Sequence, residues 1–297
     1  MPCYKPLKAW VSDEPNDNGK FPLTWDIRRA NPHAGIVDVP CGQCIGCKLE
    51  RSRQWAIRCV HEASLYDQNC FITLTYDEVN VPVNGSLIKS DFQKFMKRLR
   101  KRIGSKVRFF HCGEYGEKNS RPHYHACLFG YDFPDKELWS VRGDVKLYRS
   151  ASLEDLWRFG ISTVGDVNFN SAAYVARYVT KKVTGDPAEA HYKGRVPEYV
   201  TMSRRPGIAY DWYKKFSSDV YPDDFVVIRD GVKCRPPKYY DALYDLDDSE
   251  SHDILKAKRK ERAVNNPHNA WKRLKVREKL KWLKLKQLRR GYETQSV

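Results

Sequence analysis

Two histidines separated by a single residue, His123 and His125, lie between apolar segments with the composition of β-strands. Side chains two positions apart on a strand point to the same face, so we expect the two imidazoles to project together. The polar segment 113–121 before them predicts a hairpin loop. That loop starts just after Glu114, which could bring a carboxylate beside the two histidines from the neighbouring strand. Two imidazole nitrogens and one carboxylate oxygen suit a divalent ion that acts on phosphate.

A second set of metal-binding residue types lies near the N-terminus, where Cys41, Cys44 and Cys47 are each separated by two residues. This spacing, with glycines between the thiols, suits a turn around a tetrahedral zinc ion. Zinc requires a fourth ligand, for which Cys3 and Cys59 are the candidates, and Cys3 is preferred because Cys59 falls on the helix that follows. The sequence therefore predicts a structural zinc site, with unpaired reduced cysteines as the alternative.

Two tyrosines, Tyr174 and Tyr178, are four residues apart on a predicted helix over residues 170–183. Helical rise would separate them by about 6 Å, so both hydroxyls could reach a common point. A tyrosine with the ordinary pKa of about 10 is a poor nucleophile until a metal-bound phosphate or a lysine activates it. Lys181 and Lys182 follow within one helical turn of Tyr178. Packing of both rings on a core is the simpler explanation of this pattern when it is taken alone.

The elements that must position these residues alternate between strand-like and helix-like patterns. Their order predicts an α+β fold with a central antiparallel sheet and helices packed on it. Ser90 and Gln93 form a capping-box pattern at the start of one helix, and Asn170 or Ser171 is expected to cap the tyrosine helix. Segment 131–150 reads as a loop with a short strand around 145–148. The remaining predicted strands are 71–76, 107–112 and 161–169, and the remaining helices are 48–66, 90–103 and 152–159.

The formal charge of +16 is unevenly distributed along the chain. Residues 255–290 carry 15 Lys and Arg against two acidic residues, whereas residues 241–253 carry six acidic residues and no Lys or Arg. A strongly basic chain indicates a polyanionic partner, and nucleic acid fits best. The basic C-terminal segment has apolar residues at helical spacing and predicts an amphipathic helix, for which a membrane surface is the less favoured partner.

No apolar run approaches the roughly 20 residues that a membrane-spanning helix needs, and the N-terminus lacks the apolar core of a secretory signal. We therefore expect a soluble, intracellular protein without a membrane partner, whose nine cysteines are thiols and metal ligands rather than disulfides. The predicted organisation has four parts: a Cys-rich N-terminal arm and first helix over 1–60, an α+β domain over 61–215, an acidic linker over 216–254 and a basic helical tail over 255–297.

Three segments, in this order, resemble the motifs of the HUH rolling-circle replication endonucleases. They are Phe71–Tyr76, then Gly-Glu-Tyr-Gly with Arg-Pro-His-Tyr-His, then Tyr-Val-Ala-Arg-Tyr-Val-Thr-Lys-Lys. Within that superfamily the chain is similar to the replication initiation proteins of small single-stranded DNA phages, the gokushovirus branch of the microviruses. The cysteine cluster followed by Leu-Glu-Arg-Ser-Arg-Gln-Trp adds to the likeness, which extends from about residue 1 to residue 215.

The resemblance implies an HUH or RRM-like palm and a metal-dependent endonuclease that cuts one DNA strand. It implies that His123, His125 and Glu114 hold Mg²⁺ or Mn²⁺, with Glu117 as the alternative carboxylate. Tyr124 stands where the HUH motif has an apolar residue. Because it alternates with the histidines along the strand, it should face away from the metal.

The same resemblance assigns the covalent chemistry to the tyrosine helix. Tyr174 and Tyr178 would attack a phosphodiester, leaving a 5′-phosphotyrosyl bond and a free 3′-hydroxyl that primes rolling-circle replication. The strand would afterwards be rejoined. Lys181 or Lys182 would lie near the phosphate.

The implied partner is single-stranded or melted origin DNA, together with host helicase and polymerase in the host cytoplasm. The sequence leaves the oligomeric state open. An HUH relaxase or transposase would share this chemistry, and a non-catalytic, zinc-containing nucleic-acid-binding protein would share the charge and the cysteines. The residues expected to contact DNA are basic and are distributed over three segments: Arg177, Arg204, Arg205, Lys272 and Arg273.

Overall fold

The computed structural model of the chain describes residues 3–17, 19–116, 119–177, 182–183, 185–228, 231–264 and 267–287. These residues form two compact units. The first, here called the cysteine unit, comprises described residues from positions 1–50 and 258–288. The second, the sheet unit, comprises those from positions 51–257 and contains Glu114, His123 and His125.

The described residues contain strands and helices in alternation, numbered here in chain order. The strands are β1 Leu7–Val11, β2 Leu23–Thr24, β3 Ile36–Val39, β4 Asn69–Thr75, β5 Arg108–Tyr115, β6 Pro122–Phe129, β7 Lys136–Arg142, β8 Val145–Ser150, β9 Ser162–Gly165, β10 Tyr199–Met202, β11 Val226–Val227 and β12 Lys233–Cys234. The helices are α1 Ile45–Ala63, α2 Lys89–Ile103, α3 Ala151–Trp157, α4 Phe169–Arg177, α5 Pro187–Tyr192, α6 Tyr210–Val220, α7 Lys238–Asp247, α8 Ser249–Val264 and α9 Trp271–Lys286.

A seven-stranded sheet forms the centre of the sheet unit, with the strand order β10-β5-β6-β4-β9-β8-β7. Its neighbouring strands pair antiparallel. The α+β fold with a central antiparallel sheet, predicted from the sequence, is therefore confirmed. In the cysteine unit, β1–β3 form a smaller antiparallel sheet with β1 in the middle. The sequence analysis did not identify this sheet, because its short strands lie in a proline-rich segment without clear periodicity.

Both faces of the large sheet are buried, because successive side chains on its strands alternate between two helical layers. On one face, here called the α4 face, Phe71, Phe110 and Cys127 pack with residues of α1, α4, α6 and α7. On the other face, Leu74 and Tyr124 pack with residues of α2 and α3. The alternation therefore assigns each strand residue to one of two cores.

Helix α2 follows the predicted apolar pattern, since Phe92, Phe95 and Leu99 are buried. It ends at Gly104, whose φ of 66° allows the left-handed conformation that ends the helix. The predicted capping box is wrong, because the helix begins at Lys89 and the residue before it makes no side-chain capping bond.

Two strand predictions also differ from the structure. Strand β5 continues to Tyr115, beyond the predicted end at residue 112, and β6 begins at Pro122, so the loop is shorter than predicted. Glu114 lies on the strand that neighbours the histidines, as expected. Segment 131–150, predicted as a loop with one short strand, forms the β7–β8 hairpin. Strand β7 could not be recognised from the sequence, because most of its side chains are exposed and apolar and polar residues do not alternate along it.

Segment 216–254, predicted as an acidic linker, is folded. It contains β11, β12 and α7, and Tyr240 of α7 is fully buried in the core of the α4 face. Some of its carboxylates accept hydrogen bonds inside the fold: Asp241 from the Tyr221 hydroxyl at 2.8 Å and Asp247 from the Tyr213 hydroxyl at 2.9 Å. Acidic composition alone therefore misled the prediction.

The basic C-terminal region is helical, as predicted, over α8 and α9. Helix α9 buries Leu274 but leaves Trp271, Leu280 and Leu283 about half or more exposed. Positions 288–297 lie outside the described residues. In the described part of the chain, no helix combines the length and the apolarity needed to cross a membrane.

Candidate active site

The register of strands β4, β5 and β6 brings the three candidate metal ligands together. Glu114 on β5 lies directly opposite His123 on β6. Thr73 on β4 lies directly opposite His125 on the other side of β6. Strand alternation directs these four side chains to the α4 face. The histidine pair therefore stands between a carboxylate on one neighbouring strand and a hydroxyl on the other.

Glu114 contacts both imidazoles through one oxygen. Its Oε1 lies 2.8 Å from His123 Nε2 and 2.9 Å from His125 Nε2. Glu114 and His125 are buried, and the His123 side chain is 14% exposed. One donor atom from each of the three residues lies within 4.8 Å of the others. The site is thus compact and accessible to solvent through His123.

The other ring nitrogen of each histidine is also engaged. His123 Nδ1 lies 3.0 Å from the carbonyl oxygen of Arg121, and His125 Nδ1 lies 2.9 Å from Thr73 Oγ1. A carbonyl oxygen can only accept, so Nδ1 of His123 carries the hydrogen. Its Nε2 then directs a lone pair at a carboxylate oxygen unless a proton or a cation lies between them. This donor arrangement fits a divalent cation.

The electrostatics of Glu114 favour its ionised form. Burial alone would raise the pKa of this carboxyl, but the charge of His123 and the hydrogen bonds with both imidazoles lower it to about 2. The carboxylate is therefore charged at neutral pH and available as a hard oxygen ligand. Glu117, the alternative carboxylate, lies outside the described residues.

Helix α4 brings Tyr174 to the histidines. The side chain of Asn168 caps the helix by accepting hydrogen bonds from the backbone N–H groups of Asn170 and Ser171, so neither of the predicted cap residues is the cap. The Tyr174 ring stands edge-on to the ring of His125, with 5.0 Å between centroids. The side chain is 3% exposed and packs in the core of the α4 face. Tyr174 is thus beside the metal ligands but mostly buried.

The other residues of the predicted tyrosine motif are only partly described. Tyr178 and Lys181 lie outside the described residues. Lys182 is exposed and, like Val183, is not helical, so the helix ends before the predicted residue 183. Arg177 is half-buried, and its guanidinium lies 5.9 Å from the centroid of the Tyr174 ring.

The predicted DNA-contacting residues lie in separate places. Arg204 and Arg205 are exposed in the turn after β10, within the sheet unit. Lys272 and Arg273 are exposed on α9, which belongs to the cysteine unit. Downstream of this turn, Tyr213 of α6 is fully buried. Its ring belongs to the core of the α4 face and is not available for base stacking.

Two contributors to the site were not identified from the sequence. Thr73 alternates with apolar residues on β4, and this alternation indicates only that it shares a face with its neighbours two positions away. The pairing of β4 with β6, which brings Thr73 to His125, could not be deduced from one sequence. Arg121 acts through its main-chain carbonyl, for which residue type gives no signal.

Cys3, Cys41, Cys44 and Cys47 lie together in the cysteine unit, whereas Cys59 is buried in the core of the α4 face.

Comparisons with known proteins converge on one kind of relative. The family model of the replication-associated protein ORF2/G2P matches residues 69–183, the span from β4 through the tyrosine helix. The replication-associated protein VP4 of Bdellovibrio phage phiMH2K is 30% identical over 254 residues, which are 82% of this chain and 77% of the relative. The replication-associated protein ORF2 of Spiroplasma virus 4 is 31% identical over 281 residues, 87% of this chain and 86% of the relative.

A third relative, the replication-associated protein ORF4 of Chlamydia phage 1, is 34% identical over 184 residues, which are 58% of this chain and 45% of the relative. No solved structure gives a significant match to the chain. The similarity to known proteins therefore rests on the two relatives that match more than four fifths of the chain.

Proposed function

Because the chain belongs to the family of phage replication-associated proteins, we propose that it initiates DNA replication as a metal-dependent endonuclease that nicks one strand. The observation that carries this proposal is the convergence of two imidazole Nε2 atoms on the buried Glu114 carboxylate, beside the ring of a tyrosine. This combination supports phosphodiester chemistry through a covalent protein–DNA intermediate.

Glu114, His123 and His125 would hold Mg²⁺ or Mn²⁺. When bound, the ion supplies Lewis-acid stabilisation of the charge on the non-bridging oxygens of the scissile phosphate. Thr73 and the Arg121 carbonyl hold the two imidazoles with their Nε2 atoms towards Glu114. They contribute orientation rather than a reacting group.

The attacking group is the phenolic oxygen of Tyr174 or Tyr178. It forms a bond to phosphorus, and the bond between phosphorus and the 3′ oxygen breaks. The phenol releases its proton, and the departing 3′ oxygen takes one up. The products are a 5′-phosphotyrosyl link and a 3′-hydroxyl that primes synthesis. After one circuit the other tyrosine can repeat the attack, and a 3′-hydroxyl that attacks the phosphotyrosyl bond rejoins the strand.

Cationic side chains near the tyrosines would bind the phosphate backbone. Lys181 and Lys182 follow the motif, and Arg177 lies one turn from Tyr174. Arg204 and Arg205 extend the basic surface of the sheet unit, and Lys272 and Arg273 add non-specific affinity from α9. We propose single-stranded or melted origin DNA as the substrate in the host cytoplasm, with host helicase and polymerase as partners.

The proposal is tested by trapping the covalent intermediate. Full-length protein is incubated with end-labelled single-stranded origin DNA and Mn²⁺, then separated on a denaturing gel. We expect a DNA–protein adduct with wild type and none with the Tyr174→Phe, Tyr178→Phe double variant. Tyr148→Phe, a half-buried tyrosine on β8, is the matched control and should retain the adduct.

The outcomes separate the rival functions. An adduct that persists in the double variant would overturn the assignment of the nucleophile. Absence of any adduct, with and without metal, would favour a binding protein without catalysis. Resealing of the nicked origin into a circle is expected for an initiator, whereas joining to an unrelated end would indicate a transposase.

A further inference from the structure

The four cysteine sulfurs of the cysteine unit lie within 4.8 Å of one another. Cys3 Sγ is 3.7 Å from Cys41 Sγ and 3.9 Å from Cys44 Sγ. A tetrahedral zinc site with Zn–S bonds of about 2.3 Å places its sulfurs about 3.8 Å apart, whereas a disulfide brings them to about 2.0 Å. The two sulfur–sulfur distances therefore match four ligands around one ion.

Backbone N–H groups donate hydrogen bonds to three of the four sulfurs. Cys44 Sγ accepts a hydrogen bond from the Tyr4 N–H at 3.3 Å, and Cys3 Sγ accepts one from the Cys41 N–H at 3.4 Å. Cys41 Sγ accepts one from the Cys44 N–H at 3.3 Å. Hydrogen bonds to the charged form stabilise a thiolate. Cys47 lies in the first turn of α1, where the helix dipole also favours negative charge.

The fourth sulfur of the cluster belongs to Cys3 and not to Cys59. Cys59 is completely buried in the core of the α4 face, together with Cys127. All four sulfurs of the cluster come from the protein, and no position remains for water or substrate. A closed set of four thiolates is the donor set of a structural zinc site rather than a catalytic one.

The small sheet of the cysteine unit lacks a hydrophobic core of its own. Among the described residues of 3–43, the buried side chains are Cys3, Ala9 and Ser12. Several large apolar side chains of the same segment are exposed, among them Phe21, Trp25 and Ile27. Segments of about 40 residues with little apolar burial usually need a metal or a disulfide to fold.

We propose that Cys3, Cys41, Cys44 and Cys47 bind one zinc ion as thiolates, and that this ion organises the β1–β3 sheet. The ion joins Cys3 to the start of α1, so the 37 residues between Cys3 and Cys41 form a closed loop. Because ligand deprotonation and folding are coupled to binding, removal of the ion should unfold this sheet locally. The proposal is independent of the nicking activity.

The first test uses the unmodified full-length protein, without DNA. Elemental analysis should find stoichiometric zinc, and a mercurial reagent that attacks thiolates should release it. Replacement by Co²⁺ should give the visible absorption and the sulfur-to-cobalt charge-transfer bands of a tetrahedral thiolate site. Protein purified without zinc, with these cysteines either reduced or joined in disulfides, would overturn the proposal, as would Co²⁺ protein without charge-transfer bands.

The second test identifies the fourth ligand. We expect Cys3→Ser to bind zinc at least tenfold more weakly and to change the Co²⁺ spectrum, with faster hydrogen exchange in β1–β3. Cys234→Ser, a half-buried thiol on β12, is the matched control and should change neither. If Cys3→Ser fails to fold, Cys3→His, which restores a zinc ligand, keeps the test open. A Co²⁺ spectrum unchanged by either Cys3 substitution would exclude Cys3.

Discussion

Each histidine of the candidate metal site is held at Nδ1 by a different kind of partner. For His123 the partner is a main-chain carbonyl, which mutation cannot remove, and for His125 it is the hydroxyl of Thr73. Such outer contacts fix the orientation of a ligand and raise its basicity. A substitution of Thr73 therefore tests the orientation of the His125 ring without removing a metal ligand.

Substitution of Thr73 by Val should weaken metal binding while the fold is preserved. Valine keeps the shape and the strand propensity but leaves His125 Nδ1 without its hydroxyl partner. We expect about tenfold weaker Mn²⁺ affinity, measured by isothermal titration calorimetry. Thr163→Val, a buried threonine on the neighbouring strand β9, is the control. Equal loss in both variants would show that strand packing, not the hydrogen bond, determines affinity.

Replacement of Glu114 by Gln should reduce Mn²⁺ affinity more strongly, by about 100-fold or more, because it removes the site's negative ligand. Glu137→Gln, an exposed carboxylate on β7, serves as the control in the same titration. If Glu114→Gln binds Mn²⁺ as tightly as wild type, Glu117 rather than Glu114 supplies the carboxylate ligand. Glu117→Gln would then show the loss of Mn²⁺ affinity.

At the scale of elements, α1 is joined to α6 and α7 through a buried histidine. His61 stacks on Trp212 with 3.6 Å between ring centroids, and its Nδ1 lies 2.8 Å from the Tyr240 hydroxyl. Burial lowers the pKa of His61 to about 3, so the ring is neutral in the folded protein. The packing of these helices thus depends on an uncharged imidazole.

Acidification should therefore destabilise the sheet unit. The unfolded chain protonates His61 below its ordinary pKa of about 6.5, whereas the folded state does not, so this stabilisation is present above that pH and lost below it. Between about pH 7.5 and 5.5, His61 should account for a decrease of about 1.4 kcal/mol in the free energy of unfolding.

Urea denaturation of metal-free protein at the two pH values measures this effect. His61→Gln should show a smaller decrease than wild type, and His33→Gln, at an exposed position, should show the same decrease as wild type. A His61→Gln variant with the full wild-type pH dependence would contradict the assignment.

The elements with a strong local sequence signal were the most predictable. The H-x-H pair on a strand, the apolar stripe of α2 and the thiol cluster follow from local periodicity and spacing. The register that pairs Thr73 with His125 depends on strand order, which one sequence does not encode locally. The linker prediction failed because Asp241 and Asp247 accept hydrogen bonds from distant tyrosines, contacts that charge counting cannot anticipate.

At the scale of the whole molecule, the charge of +16 is divided between the two units, and α9 carries a dense part of it. Each contact between a basic side chain and a DNA phosphate releases counterions, so the salt dependence of the affinity reports the number of such contacts. Measuring this salt dependence tests the contribution of α9 to DNA binding without requiring catalysis.

The double variant Lys272→Gln, Arg273→Gln should reduce the slope of log affinity against log salt by about 1.4 for single-stranded DNA. Fluorescence anisotropy with a labelled oligonucleotide at several salt concentrations measures the slope. Lys97→Gln, Lys101→Gln on the exposed side of α2 is the charge-matched control. An equal reduction of the slope in both double variants would mean that DNA binding depends on the net charge of the protein and not on contacts made by α9.

The proposed metal sites belong to different units and have different donor sets. Thiolates favour zinc, whereas the site of Glu114, His123 and His125 offers a hard oxygen and two imidazoles. A mild chelator should therefore remove the ion of the sheet unit and leave zinc in the cysteine unit. Preparations can be depleted of one ion at a time.

The pairing of β5 with β6 has a practical consequence for preparing the protein. A slip of either strand by one residue would transfer its ligands to the opposite face of the sheet. A misregistered molecule would then lack the site altogether. The fraction of chains that bind Mn²⁺ should consequently equal the fraction of correctly folded chains. A metal titration can thus serve as an active-molecule count for each refolded batch.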